Sequence, residues 1–197
     1  FGGGFVIKES KIRGVESNGM ICSIAELGLD QRLLKPEDKD GIHVLDADAP
    51  IGEDPLEYIG LKDTILEIGL TPNRSDCMAL TSFAYEVAAI LNRKVNLPKV
   101  TPNGIDGSEI NVKVETELCS FFGAKLVKGV TTKESPAWLK NALIASGIKP
   151  INNIVDISNF VMLETGQPIH MYDYDKLDKK EFVVKTGFDC KEILTIC

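Results

Sequence analysis

The sequence predicts an α+β protein of several small domains, with packed helices and mixed or antiparallel sheets. Residues 110–114 alternate apolar and polar side chains, which is typical of a half-buried strand. Residues 77–91 instead repeat apolar side chains at three- and four-residue steps, the spacing of one helical face. Residues 99–107 are rich in Pro and Gly and have the composition of a linker between domains.

The chain is acidic, with a net charge of −7 and a pI near 5.0. Nonspecific nucleic-acid binding needs Lys and Arg to displace counterions, so any RNA contact must be local or supplied by another chain. No apolar run reaches the roughly 18 residues of a membrane span, and no secretory leader pattern is present. The sequence therefore predicts no membrane association and a cytoplasmic location.

The five cysteines are widely spaced, form no CxxC pair, and are accompanied by only two histidines. Structural zinc sites need closely spaced Cys and His ligands. We therefore expect reduced thiols and no metal site.

Residues 1–60 contain short apolar segments among Gly, Asp and Pro. The segment KIRGVESNGMICS predicts a strand, a turn at Asn18-Gly19 and a second strand. A short helical turn is expected from Ile24 to Leu29, closed by Gly28, followed by the solvated loop KPEDKDG. The segment from Ile42 onward predicts a strand and then an acidic loop.

Residues 61–98 predict a strand over TILEIGL and a turn over TPNRSD that opens a helix. Ser75 or Asp76 is the expected N-cap. Arg74 beside a helix start could bind an anion, although a purely structural turn explains the same residues. The apolar face of this helix comprises Cys77, Leu80, Ala84, Val87, Ala88 and Leu91.

Residues 108–197 predict strands over SEINVKVE, FFGAKLVKGV, EFVVKT and EILTI. A first helix is expected to have Ser135 as N-cap, Pro136 at its first position and Gly147 just past its end. A second helix is expected from Ile154 to Thr165, with Asn153 as cap, Asp156 adding favourable charge and Gly166 ending it.

Candidate chemistry gathers around this second helix. His170 follows a rigid Gly-Gln-Pro turn, Ser158 and Asn159 are small polar residues on the helix, and Lys149 precedes it. Such groups can hydrogen-bond a ribose or an amino group and meet a phosphate. Each also has a purely structural interpretation, which the residues alone leave open. No catalytic triad, Walker loop, dinucleotide fingerprint or HEXXH motif is present.

Three segments resemble one family, the beta subunit of bacterial phenylalanyl-tRNA synthetase. KIRGVESNGMICS is similar to the end of its inserted OB-type tRNA-binding domain, usually KIRGV-S-GMLCS. LTPNRSDCMALTSFAYEVAAI resembles its first domain, which reads TPNR-D-C-S before a helix with REVAA. SGIKPINNIVDISNFVMLETGQPIHMYD resembles its editing domain, where a GxRPINN-like start leads to VVDVTNYVMLE and QPMHAFD. The segments occur in family order.

The resemblance implies a heterotetramer of two alpha and two beta subunits that attaches phenylalanine to its tRNA with ATP and magnesium. The synthetic site would lie on the alpha subunit, so we expect no cofactor in this chain. The beta subunit would bind tRNA(Phe) and hydrolyse mischarged tyrosyl-tRNA.

The same resemblance implies roles for individual residues. His170 matches the editing-site histidine and would position the terminal ribose or the attacking water. Ser158, where the family more often has threonine, and Asn159 would line the pocket, as would Ser120 by a weaker alignment. Lys149 replaces the family's usual arginine and would bind the tRNA, without bidentate geometry.

The resemblance also implies a domain division: residues 1–60 end the OB-type domain and its connection, 61–98 belong to the first domain, 99–107 are a linker, and 108–197 begin the editing domain. Both ends of the sequence look cut, so we expect a truncated editing-type α/β domain that is inactive alone. A non-catalytic RNA- or protein-binding module of synthetase origin, or a piece that serves subunit assembly, remains an alternative.

Overall fold

The computed structural model describes residues 6–101, 104 and 109–187. Within them lie four α-helices and four β-strands, which confirms the predicted α+β class. The chain divides into two compact units: unit 1 comprises Phe1–Val95 and Thr132–Ile169, and unit 2 comprises Asn96–Thr131 and His170–Cys197. The division into parts of an OB-type domain, a first domain and an editing domain stays a prediction.

Unit 1 begins with a hairpin of two antiparallel strands, β1 (Ser10–Ile12) and β2 (Val15–Ser17). Its turn residues Arg13 and Gly14 have φ of 51° and 86°. Positive φ at both central residues marks a type I′ turn, whose twist matches that of the strands it joins. The predicted turn at Asn18-Gly19 is therefore wrong, because the chain already reverses at Arg13-Gly14.

Four predicted strands do not form among the described residues: the one after Asn18-Gly19, the one beginning at Ile42, and those over 64–70 and over 121–130. Their apolar side chains are largely exposed, as shown by Ile65 at 64% and Leu66 at 74%. A strand needs a neighbouring strand for its backbone groups, and within the described residues no strand pairs with these segments, although His43 N donates to Cys22 O at 3.0 Å. The predicted strand EILTI lies outside the described residues. The helical turn closed by Gly28 is confirmed by a hydrogen bond from Leu29 N to Ile24 O at 3.3 Å.

Two helices precede the candidate site in unit 1. Helix α1 (Pro55–Tyr58) is capped by Asp54, and α2 spans Leu80–Ile90. Neither Ser75 nor Asp76 caps α2, because these residues start a separate 3₁₀ turn, Ser75–Met78, and α2 begins only after Ala79.

The core of unit 1 lies where α3 (Ala137–Ala145) and α4 (Asn153–Thr165) pack together. Leu139 and Leu143 of α3 are 1% and 0% exposed. Both helices were predicted, but their caps differ by one residue from expectation. Pro136 holds the N-cap position of α3. Asn152 rather than Asn153 caps α4, because the Asn152 side chain accepts hydrogen bonds from Ile154 N and Val155 N.

Unit 2 contains β3 (Asn111–Val114) and β4 (Glu181–Val184), both of which were predicted. They pair in parallel, with Val112 opposite Phe182. Hydrogen bonds from Asn111 N to Lys180 O at 3.0 Å and from Glu115 N to Val184 O at 2.7 Å fix both ends of the pair. No helix among the described residues is long and apolar enough to cross a membrane.

Candidate functional site

The connection from α3 to α4 carries Lys149 and is held at both ends. At the end of α3, Gly147 N donates to Ile144 O at 2.9 Å and Ile148 N donates to Leu143 O at 2.8 Å. This is a Schellman motif, which needs the left-handed φ of 75° that Gly147 adopts. Asn152 Oδ1 then accepts from Ile154 N and Val155 N, both at 3.0 Å, to start α4. Lys149 itself is exposed.

Asp156, in the first turn of α4, fixes this connection through hydrogen bonds. Its carboxylate is fully buried and accepts from Ser135 Oγ at 2.5 Å and from Ile151 N at 2.8 Å. The helix N-terminus favours the negative charge, and the hydrogen bonds satisfy it. Asp156 therefore ties the segment before α3, the connection and α4 into one body.

A second tie reinforces the first. Lys133 N donates to Asn153 Oδ1 and Asn153 N donates to Lys133 O, each at 2.9 Å. The residues that lead into α3 are thus bound directly to the first residue of α4. Both ends of the segment that carries Lys149 are consequently fixed relative to α4.

Ser158 and Asn159, the predicted pocket residues of unit 1, follow on α4 and are half-buried. Ser158 Oγ donates to Val155 O at 2.7 Å, one turn back along the helix. Its oxygen still has lone pairs with which to accept a hydrogen bond, and the Asn159 amide offers both donors and an acceptor. Lys149, Ser158 and Asn159 therefore belong to one rigid segment of unit 1.

Ser120 and His170, the other two predicted site residues, lie in unit 2 and are both exposed. Cys119 Sγ donates to Phe121 O at 3.4 Å across the turn that contains Ser120. His170 opens the second segment of unit 2. The five predicted site residues thus divide between two units, three in one and two in the other.

Three aromatic rings form a cluster in unit 2, and two of them follow Ser120 and His170 closely in sequence. The ring of Phe182 on β4 has its centroid 5.2 Å from that of Tyr172 and 6.0 Å from that of Phe122. Sequence reasoning missed this cluster, because its members come from three separate segments. The sequence shows only that Phe122 follows Ser120 and Tyr172 follows His170 by two residues, which does not indicate that both rings meet Phe182.

Arg74 forms an ion-pair network that explains the residues before α2. Its guanidinium lies 2.6 Å from Glu86 Oε1 and 3.0 Å from Asp76 Oδ2. Hydrogen bonds to these two carboxylates raise the pKa of Arg74, and the pairing with Arg74 lowers the pKa of Asp76. Because the cation is already neutralised, the anion-binding interpretation of Arg74 is not supported.

The same network bears on metal binding. Asp76, Cys77 and Glu86 place potential ligand atoms within 4.8 Å of one another. Arg74 Nη2 also lies 2.9 Å from Cys77 Sγ, so the guanidinium contacts all three side chains. Burial raises the pKa of the Cys77 thiol, which disfavours the thiolate that binds metals. These residues do not fit a metal ion as they stand.

Comparison with known proteins gives one family-model match to part of the chain and several relatives that align with nearly all of it. A family model described as the B3/4 domain matches residues 118–197. The phenylalanine–tRNA ligase beta subunit of Geobacillus kaustophilus is 48% identical over 98% of the chain and 25% of its own length. The beta subunits of Moorella thermoacetica and Bacillus subtilis are 47% and 46% identical over the same shares. The chain therefore spans about a quarter of the length of the curated relatives it matches.

Proposed function

The chain belongs to the family of bacterial phenylalanine–tRNA ligase beta subunits, and from that membership we propose that it binds tRNA(Phe) and contributes to hydrolytic editing of tyrosyl-tRNA(Phe). The observation that carries the proposal is the position of the five candidate site residues. Ser120, Lys149, Ser158, Asn159 and His170 all fall within the matched B3/4 region.

The rigid segment of unit 1 offers a cation and two polar groups to the end of the tRNA. Lys149 is exposed and can meet a phosphate as a point charge. Ser158 and Asn159 can hydrogen-bond the aminoacyl group or the terminal ribose. Because Asp156 and Asn152 hold this segment, these groups need little reorganisation on binding.

The role of His170 is to position the terminal ribose or the attacking water. Its imidazole is exposed and can hydrogen-bond the terminal ribose or the water that attacks the ester carbonyl. Attack by that water breaks the ester bond and releases free tyrosine and a free hydroxyl on the terminal ribose of the tRNA. His170 acts by positioning and does not form a covalent intermediate with the amino acid.

Hydrolysis at a second site solves a recognition problem. An apolar pocket for phenylalanine cannot strongly reject an analogue that only adds a hydroxyl. A site that hydrogen-bonds the added hydroxyl instead favours tyrosine over phenylalanine. Phenylalanine would leave a buried polar group of that site unpaired, at a cost of about 1–3 kcal/mol.

The proposal includes an alpha subunit as partner, in a heterotetramer of two alpha and two beta subunits. ATP and magnesium would act at the synthetic site of the alpha subunit. The only metal-ligand cluster found among the described residues, at Asp76, Cys77 and Glu86, is occupied by Arg74 and does not suit magnesium, which prefers oxygen ligands and water. Charging of tRNA is a cytoplasmic process, so the proposal also places the chain there.

The test is deacylation of tyrosyl-tRNA(Phe), measured for the chain alone and for the chain within a complete beta subunit joined to its alpha subunit. His170→Ala is compared with His43→Ala, a matched control because His43 is the only other histidine. We expect hydrolysis by the complete enzyme, at least a tenfold loss in His170→Ala, and no loss in His43→Ala.

Two results would overturn the proposal. An inert complete enzyme that folds and binds tRNA would favour the alternative, a non-catalytic binding or assembly module. Full hydrolysis by His170→Ala would remove His170 from the site.

A further inference from the structure

Two segments of unit 2 converge on one ring, that of Phe182. Phe122 follows Ser120 by two residues and Tyr172 follows His170 by two residues. Both rings contact Phe182, with centroid separations of 6.0 Å and 5.2 Å and tilted planes. The segments that carry Ser120 and His170 are far apart in sequence, and the Phe182 ring contacts both.

We propose that Phe182 is a positioning residue, whose ring sets the separation between the Ser120 segment and the His170 segment. In its catalytic consequence the inference rests on the function proposed above, in which these two residues serve one editing site. The structural claim concerns only unit 2 and can be tested without any enzymatic assay.

Phe182 is suited to this role because its backbone is fixed. It pairs with Val112 in the parallel ladder of β3 and β4, whose two ends are both hydrogen-bonded. On the face of the two strands opposite Phe182, Lys113 of β3 forms an ion pair with Glu181 of β4 at 2.6 Å. The ring therefore projects from a rigid support, whereas Phe122 and Tyr172 lie outside strands.

The contacts also depend on aromatic geometry. Ring pairs with centroids about 4.5–7 Å apart prefer tilted or edge arrangements and gain stability beyond the area they bury. Leucine at position 182 keeps apolar volume but loses the flat edge and face that meet the two neighbouring rings. Phe182→Leu should thus loosen both segments and leave the strand pair in place.

The first experiment uses the two histidines as reporters. With ¹³C-labelled histidine, the chain gives imidazole signals for His43 in unit 1 and His170 in unit 2. Phe122→Leu is the decisive variant, because Phe122 and His170 belong to different segments that meet at Phe182. Val183→Ala is the control, since Val183 lies on the other face of β4 and outside the ring cluster.

We expect the His170 signals to shift in Phe182→Leu and in Phe122→Leu, while the His43 signals stay and Val183→Ala changes neither. An unchanged His170 signal in a folded Phe122→Leu variant would overturn the inference. If Phe182→Leu fails to fold, the Phe122→Leu result alone decides, since Phe122 is already 39% exposed.

A second experiment separates positioning from stability. In the complete enzyme, Phe182→Leu should lower kcat for tyrosyl-tRNA hydrolysis about 10- to 100-fold, because a misplacement near 1 Å has an effect of that order. KM should change little, and Phe182→Tyr, which keeps the ring, should restore most of the rate. Equal kcat in Phe182→Leu and wild type would refute the catalytic part. An inactive wild type would refute the proposed function while the histidine spectra still decide the structural part.

Discussion

Ser135 donates a hydrogen bond from its hydroxyl to the carboxylate of Asp156 at 2.5 Å, inside the core of unit 1. The two residues precede α3 and begin α4, respectively, and are 5% and 0% exposed. The same carboxylate accepts from Ile151 N at 2.8 Å. One buried side chain therefore determines how the connection that carries Lys149 lies against α4.

Replacing Asp156 with alanine should destabilise unit 1 by about 2–4 kcal/mol, because it leaves the buried Ser135 hydroxyl and the part-buried Ile151 N–H without an acceptor. Asp156→Asn should cost about 1 kcal/mol, since its oxygen can accept from Ile151 N and its NH₂ can donate to Ser135. Urea unfolding followed by Trp138 fluorescence measures the change, because this single tryptophan packs 5.5 Å from Phe160 of α4. Equal losses in the two variants would mean that charge, and not hydrogen bonding, dominates.

Gly166 and Gly147 end α4 and α3 with similar left-handed φ of 77° and 75°. Gly147→Ala should cost about 1–2 kcal/mol from backbone strain alone, because nothing lies within 4 Å of its added Cβ. Gly166→Ala should cost more, because its Cβ would lie 3.0 Å from the Cβ of Ala79. The free energies of unfolding of the two variants test the difference.

A double-mutant cycle checks the cause of that difference. Measured in the Ala79→Gly background, where the close contact is removed, Gly166→Ala should cost only about as much as Gly147→Ala costs in wild type. No recovery in the double variant would show that the contact with Ala79 is irrelevant.

Glu134 should make unit 1 less stable in acid. Its carboxylate contacts Lys35 at 2.8 Å and Lys140 at 3.1 Å, and these ion pairs lower the pKa of Glu134 below its ordinary value of 4.5. A carboxyl group whose pKa is lowered by folding adds stability above that ordinary value. This stability is lost as the pH falls through the lowered pKa.

Glu134→Gln should therefore be less stable than wild type at pH 7, and the difference should vanish as the pH drops well below 4.5. The side chain is 58% exposed, so solvent screening limits the difference to about 0.5 kcal/mol. Glu164→Gln is the control, since Glu164 forms no ion pair among the described residues. A difference that does not shrink as the pH falls below 4.5 would contradict the prediction.

Lys149 should contribute to tRNA affinity and not to chemistry. In the complete enzyme, Lys149→Ala should raise KM for tyrosyl-tRNA hydrolysis about 3- to 10-fold with kcat unchanged, as expected for loss of a phosphate contact. Lys149→Arg should match or exceed wild type, because guanidinium can bind phosphate in a bidentate manner. Lys133→Ala, an exposed lysine before α3, serves as control. A fall in kcat for Lys149→Ala would place the side chain at the reacting atoms instead.

Helices α3 and α4 of unit 1 could be predicted because their end signals are local. Gly147 and Gly166 end helices by a conformation that glycine adopts at low cost, and this depends on a few neighbouring residues. The capping residues were shifted by one position, since Ser135 and Asn153 bond to residues distant in sequence instead of to their own helices.

The wrongly predicted strands have the opposite explanation, because strand formation depends on contacts that are not local. The segments 64–70 and 121–130 have suitable side chains, but strand formation requires a partner that local sequence does not specify. The turn at Arg13-Gly14 was missed because Asn18-Gly19 is the more familiar hairpin pair and the two lie close together.

The motif residues of the candidate site could be selected from the sequence, but the residues that hold them in place could not. The sequence predicts Asp156 only as a favourable charge near a helix end, whereas it is the buried acceptor that joins three segments. The Phe182 ring cluster depends on packing between β4 and two loops, which no spacing within either loop encodes.

The parallel pairing of β3 with β4 has a consequence for folding kinetics. The whole α3–α4 segment lies between these strands in sequence, so their contact closes a long loop, whereas α3 and α4 meet across a short connection. Loop closure is entropically slower for distant contacts. Refolding should therefore restore Trp138 fluorescence before the β3–β4 amides gain protection from hydrogen exchange. The histidine of the proposed editing site would accordingly reach its final surroundings in the last step of folding.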